Sequence, residues 1–115
     1  MALKLHDISK TLLHILTEDK SVSRGGIFGS IARNEAGIGS DIDIIIDYRH
    51  DENNLFAYFV LCERIESEFK RLYKRNVSLV EWSALSYDEY KHIGEMIIRE
   101  VVWVYDEKQK QKQEA

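Results

Sequence analysis

Proline is absent from this chain, and cysteine occurs once, at Cys62. A single thiol excludes an internal disulfide framework and cannot by itself build a zinc site. No apolar run approaches the roughly 18–20 residues needed to span a membrane, so no membrane partner is expected. The opening "MALKLHDISK" holds an acid and polar residues where a signal peptide holds an apolar run, and it is not read as one. A basic surplus is also missing, since 16 Lys and Arg face 20 Asp and Glu for a net charge of −4. Sequence-independent nucleic-acid binding relies on such a surplus, so nucleic acid is not an expected partner, whereas a divalent cation is compatible with the charge. The expected location is the cytoplasm.

What is present suits one globular domain. With 115 residues, 44% of them apolar and 31% charged, the chain can bury a single modest core. No repeat or internal linker divides it. The expected domain spans 1–105, followed by a polar tail, "DEKQKQKQEA", over 106–115.

In "DISKTLLHILTED", Ile8, Leu12, Ile15 and Leu16 recur at helical spacing, with Asp7 placed to cap the N-terminus. "SRGGIFGS" reads as a short strand entering a Gly-Ser turn, with Ser30 opening a short helix to about Asn34. "EAGIG" is a loop, and "SDIDIIIDY" is a strand by its β-branched content. "NNLFAYFVLCERIESEFKRLYK" is the clearest helix, its apolar stripe running Leu55, Phe59, Cys62, Ile65, Phe69, Leu72. "NVSLVEW" is a third strand. Ser86 and Glu89 form an S-x-x-E capping box before a helix in "YDEYKHIGEMIIRE", and "VVWVY" closes as a short strand. Strands separated by helices imply an α+β (α/β) domain, a small mixed sheet of three or four strands covered by helices on at least one face.

The segment "DIDIIID" poses the chemical question, because aspartate is disfavoured in strands. Alternation sends Asp41 and Asp43 to one face, about 6–7 Å apart along the chain. Carboxylates so placed repel unless a cation joins them. Hard cations such as Mg²⁺ take oxygen ligands, a couple of carboxylates together with waters and substrate phosphates. Two such ions, roughly 3.5–4 Å apart, stabilise the attacking and leaving oxygens in nucleotidyl transfer. Upstream, Gly29 lets a phosphate approach the backbone and Ser30 adds a hydroxyl, while the following helix presents free N–H groups at its positive end. A phosphate cradle beside a carboxylate pair describes a nucleoside triphosphate site.

Each fragment alone has a plainer reading, since most D-x-D pairs are solvated strand ends and a lone Gly-Ser turn is weaker still. Their order distinguishes them: strand, Gly-Ser, short helix, loop, D-x-D strand. Competing motifs fail. No Walker-type G-K-[ST] follows Gly25, no G-x-G-x-x-G occurs, and "DIDIIID" lacks the glycine of an EF-hand loop. D-x-D glycosyltransferase folds need far more chain. Trp82 and Trp103 read as packing residues, and His6, His14, His50 and His92 are too scattered for a metal or triad.

"FGSIARNEAGIGSDIDIII" resembles the minimal nucleotidyltransferases, the MNT-type members of the polymerase-β-like superfamily, whose hallmark is hG-S, a spacer (here 31–40) and D-h-D. The resemblance covers nearly the whole chain and implies the polymerase-β-like nucleotidyltransferase fold. By that resemblance Gly29 and Ser30 hold the β- and γ-phosphates of ATP or another NTP, with Ser40 also on the nucleotide side, and Asp41 and Asp43 bind Mg²⁺ or Mn²⁺. Arg33 either assists the phosphates or is a solvated helix charge. The implied activity moves an NMP, AMP from ATP foremost, onto a hydroxyl of a protein or small molecule and releases pyrophosphate. Chains of this type pair with a helical HEPN-type protein as antitoxin and toxin. A chain this short lacks a separate acceptor-binding domain, so acceptor recognition falls to such a partner or to a homo-oligomer.

One position departs from the family. A third carboxylate is usual on the next strand, in a context like V-D-L-V, and this chain reads "VSLV", with Ser78 in its place. Serine is a poor metal ligand and no base near neutral pH. Glu81 falls on the opposite face by strand parity, and Asp47 lies four residues past Asp43, toward the far end of its strand. Losing a general base costs about 10²–10⁴ in rate. Two expectations therefore stand: a slow or differently completed nucleotidyltransferase, or a nucleotide-binding module that neutralises its partner by contact.

Overall fold

A computed structural model describes residues 3–51 and 54–109. The described elements run α1 (Leu5–Thr17), β1 (Val22–Phe28), α2 (Gly29–Ala32), β2 (Ile42–Tyr48), α3 (Leu55–Tyr73), β3 (Val77–Glu81), α4 (Lys91–Glu100) and β4 (Val102–Asp106). Two 3₁₀ segments, Trp82–Ser86 and Asp88–Tyr90, link β3 to α4. The sheet is mixed, in the order β3-β2-β1-β4. β1 pairs antiparallel with both β2 and β4, whereas β2 and β3 run parallel because α3 carries the chain back between them. This is the α+β arrangement expected from the sequence, with four strands. None of the helices among the described residues is long and apolar enough to cross a membrane.

The two sheet faces are covered differently. On one, Ile27, Ile44 and Ile46 pack against Ile8, Leu12, Ile15 and Leu16 of α1 and Ile65 and Phe69 of α3. On the other, Phe28 and Ile45 meet Ile97 of α4, flanked by Trp82, Leu85 and Trp103. The triple isoleucine of β2 is thus explained, since covered faces on both sides leave no solvent-facing position from Ile44 to Ile46. Phe69 is fully buried where α3 meets the sheet. Phe69→Ala is expected to cost about 3–5 kcal/mol, seen as a lower denaturant midpoint at unchanged m-value.

Several local expectations are corrected. Lys4, not Asp7, occupies the N-cap of α1, and Asp7 sits in the first turn, where its charge still suits the helix dipole. The short helix begins at Gly29 and ends at Ala32, with Arg33 as its C-cap. No capping box forms before α4, because Ser86 lies in a 3₁₀ turn and its hydroxyl donates to the carbonyl of Ser83 at 2.8 Å. The buried face of α3 is Tyr58, Leu61, Ile65 and Phe69, while Leu55, Phe59 and Leu72 are exposed. The first two turns of α3 are apolar all round, so periodicity alone could not choose the inner side. Tyr58 takes it by packing its ring on Tyr48 and His50, with centroids 5.0 and 5.1 Å away. β4 runs to Asp106 and Glu107 pairs with Arg49, so the fold reaches into the stretch expected as a tail, of which 110–115 lie outside the described residues.

Candidate active site

The end of β1 and the start of β2 lie side by side, with Phe28 opposite Asp43. The chain must turn sharply out of β1 into α2, and Gly29 does so at φ +73°, in the left-handed region that glycine enters without steric cost. A second constraint falls on the same atom. A Cβ at Gly29 would overlap Oδ2 of Asp43, so the carboxylate occupies the space that a side chain would fill. The Gly-Ser turn and the second aspartate of D-x-D, read from sequence as two halves of one site, are in direct contact.

Asp41 is exposed and precedes β2, whereas Asp43 is half-buried within it. Ile42 N–H donates to the carbonyl of Asn76 at 2.9 Å, pinning this end of β2 to the entry of β3. Burial first, then the like charges of Asp41 and Glu100, push the Asp43 carboxyl above its usual range, and Arg33 opposes them. A carboxylate that resists ionisation beside another carboxylate fits a cation-binding role, because a divalent ion removes the repulsion its ligands feel. Asp41 and Asp43 supply the hard oxygen donors that such an ion prefers. Among the described residues, no three His, Cys, Asp or Glu side chains stand close enough to hold a metal as they are.

The remaining expected residues are placed as follows. Ser30 is half-buried in the first turn of α2, where backbone N–H groups lack intrahelical acceptors. Ser40 closes the loop, its Oγ accepting the Gly37 N–H at 2.9 Å. Arg33 is exposed and paired twice, Nε to Glu35 Oε2 at 3.0 Å and Nη1 to Glu100 Oε2 at 2.6 Å. Those two carboxylates hold the Arg33 guanidinium above its ordinary pKa, so it stays charged at the mouth of the site. Ser78 stands in register with Asp43 on the parallel β3, on the same sheet face.

Neither substitute for Ser78 reaches the site. Glu81 is in register with Ile46, on the opposite face, and is engaged by His50 Nε2 and by the Ser83 hydroxyl at 2.7 Å. Asp47 shares the face of Asp43 but sits about 13 Å farther along the strand. There it pairs with Arg24 at 3.4 Å, whose guanidinium lies 4.5 Å from the ring of Trp82 and 4.1 Å from that of Trp103. The carboxylate that does approach is Glu100, at the C-terminal end of α4, and sequence reading missed it. It reaches Arg33 across 67 residues of chain, a tertiary contact for which "IIRE" carries no local signal.

The profile of the nucleotidyltransferase domain family matches residues 9–104, and the chain belongs to that family. No curated protein matches the sequence. Solved structures share its fold at low identity. A toxin-antitoxin structure with AMP-PNP superposes with a TM-score of 0.64 at 14% identity, over 91% of this chain and 78% of that one. A structure assigned to a minimal nucleotidyltransferase gives 0.62 at 22% identity, over 87% and 95%. The complex of tri-AMPylated Shewanella oneidensis HEPN toxin with MNT antitoxin gives 0.59 at 13% identity, over 95% and 78%.

Proposed function

We propose that the chain is a Mg²⁺-dependent minimal nucleotidyltransferase that moves AMP from ATP onto a hydroxyl of a helical, HEPN-type partner protein, as the antitoxin of that pair. The observation that carries this reading is the contact between the Asp43 carboxylate and the left-handed Gly29 at the head of α2. In this reading it sets the oxygens that would hold the cation against the head of α2, whose N–H groups lack intrahelical acceptors and would take a phosphate. Support for the partner comes from the likeness to structures of toxin-antitoxin pairs, one holding AMP-PNP and another an AMPylated HEPN toxin. Phe56 and Phe59, 79% and 59% exposed with Leu55 and Val60 beside them on α3, form the kind of apolar surface that a protein partner covers.

In this reading Gly29 and Ser30 bind the β- and γ-phosphates through backbone and hydroxyl donors, and Arg33 turns to the triphosphate from its carboxylate partners. Asp41 and Asp43 hold Mg²⁺, which when bound neutralises charge building on the phosphates. Ser40 keeps the 37–40 loop closed above the nucleotide. The partner's hydroxyl oxygen attacks the α-phosphorus, the bond to the bridging oxygen breaks, and pyrophosphate leaves with its electron pair. With Ser78 in register with Asp43, that face of β3 has no carboxylate to take the hydroxyl proton, which passes to solvent water instead, so turnover is expected to be slow.

Ser78 in register with Asp43 also favours a second reading, a nucleotide-binding antitoxin that neutralises its partner by contact. Separate incubations of chain and partner with Mg²⁺ and ATP labelled at the α- or the γ-phosphate distinguish the two. Transfer of the α label alone is the expected result. Transfer of the γ label would overturn the reading in favour of phosphoryl transfer, and neutralisation without either label would establish contact alone.

A further inference from the structure

Glu100 stands where helix α4 ends against α2, with its side chain only 15% exposed. One of its oxygens, Oε2, takes the Arg33 guanidinium at 2.6 Å. The other, Oε1, is buried and without a hydrogen-bond partner among the described residues. A buried carboxylate oxygen left unpaired costs free energy that folding alone gives no reason to bear. The strand register brings Glu100 to the site: Val102, two residues on, pairs with Ile27 of β1, whose neighbour Phe28 pairs with Asp43. Arg33 is shared between Glu100 and Glu35, so neither carboxylate has a cation of its own there.

From this geometry we propose that Glu100 supplies the third carboxylate of the cation-binding site, the place that Ser78 leaves vacant on β3. The proposal rests on the nucleotidyltransferase reading above. Glu100 is engaged by Arg33, and among the described residues Asp41, Asp43 and Glu100 do not bracket one ion as they stand. When Arg33 passes to the triphosphate, Glu100 loses its counter-charge and turns its unpaired oxygen toward Asp43. The charge lost from β3 is thereby replaced from α4, on the same side of the sheet. No bond is made or broken in this exchange; a guanidinium and a carboxylate change partners.

The probe is Mn²⁺, titrated by the loss of its free-ion electron paramagnetic resonance signal in the presence of a non-hydrolysable ATP analogue, for the wild-type chain and for E100Q, R33M, D43N and E100Q/S78D. E100Q is expected to weaken Mn²⁺ binding about 10-fold or more, the usual cost of removing a group that supports a bound metal. E100Q/S78D is expected to recover most of that loss, because position 78 lies in register with Asp43. Equal affinity in wild type and E100Q would overturn the proposal. R33M guards against an E100Q chain that does not fold. In the absence of the ATP analogue R33M frees Glu100 from its cation and should bind Mn²⁺ more tightly than wild type, whereas unchanged or weaker binding would mean that Glu100 serves only to anchor Arg33. Affinity equal in wild type and D43N would instead remove the nucleotidyltransferase reading, and the proposal with it.

Discussion

Asp43→Asn is expected to lower AMP transfer by about 10²–10³-fold or more while raising the melting temperature at pH 7. The two effects have one cause. Asp43 is half-buried and flanked by the charges of Asp41 and Glu100, so its carboxyl binds a proton more tightly in the folded chain than in the unfolded one. The stability associated with that proton is fully present below the ordinary carboxylate pKa and is lost as pH rises through the raised value. At neutral pH the folded chain therefore holds an ionised group it would rather not ionise. Asparagine removes the charge, keeps the shape and removes the oxygen proposed to hold the cation. The gain should be present at pH 7 and should shrink toward zero as the pH falls through the acid range. Scanning calorimetry of both proteins across pH, beside transfer of α-labelled ATP, measures both halves. A variant less stable than wild type at pH 7 would mean that Asp43 is held by hydrogen bonds rather than strained by burial.

Gly29→Val is expected to cost about 2–4 kcal/mol and to abolish nucleotide binding. A β-branched side chain is strained at φ +73°. Its Cβ also falls on Oδ2 of Asp43, so either β2 shifts or the carboxylate swings away. Gly29→Ala meets the same overlap without the branch and should fall between wild type and valine. Denaturant midpoints for the two variants, with calorimetric titration of an ATP analogue, provide the check. Full nucleotide affinity in Gly29→Val would show that the turn is not where the phosphates bind.

How far the site could be read from sequence depended on the range of the interaction concerned. "DIDIIID" was legible because β-branched residues and strand parity act within a few residues, and the same parity placed Glu81 away from Asp43. The expectation about Ser78 came from the resemblance to a V-D-L-V strand, and its parallel register with Asp43 is set by tertiary pairing that no local pattern encodes. Glu100 was not legible, because nothing near it in the chain distinguishes it from any helix-terminal acid until α4 packs on α2. The inner face of α3 was misread where "LFAYFVL" is apolar on every side, and only the rings of Tyr48 and His50 decided it. Asp7 shows a gentler failure. A good capping residue placed two positions inside the helix still acts, through its charge instead of its hydrogen bond.

The placement of Arg24 over both Trp82 and Trp103 has a spectroscopic consequence. Both tryptophans of the chain lie in this one cluster, 5.8 Å apart, on the sheet face that carries Asp43. Tryptophan fluorescence therefore reports the seam between β4, the 3₁₀ turn after β3 and α4, and does not sample the layer formed by α1 and α3. Circular dichroism weights the long α3 most heavily. If the two sheet faces melt together, the curves from the two probes coincide. If α4 loosens first, emission shifts before helicity falls, and nucleotide should draw the curves together by binding at the edge of that seam.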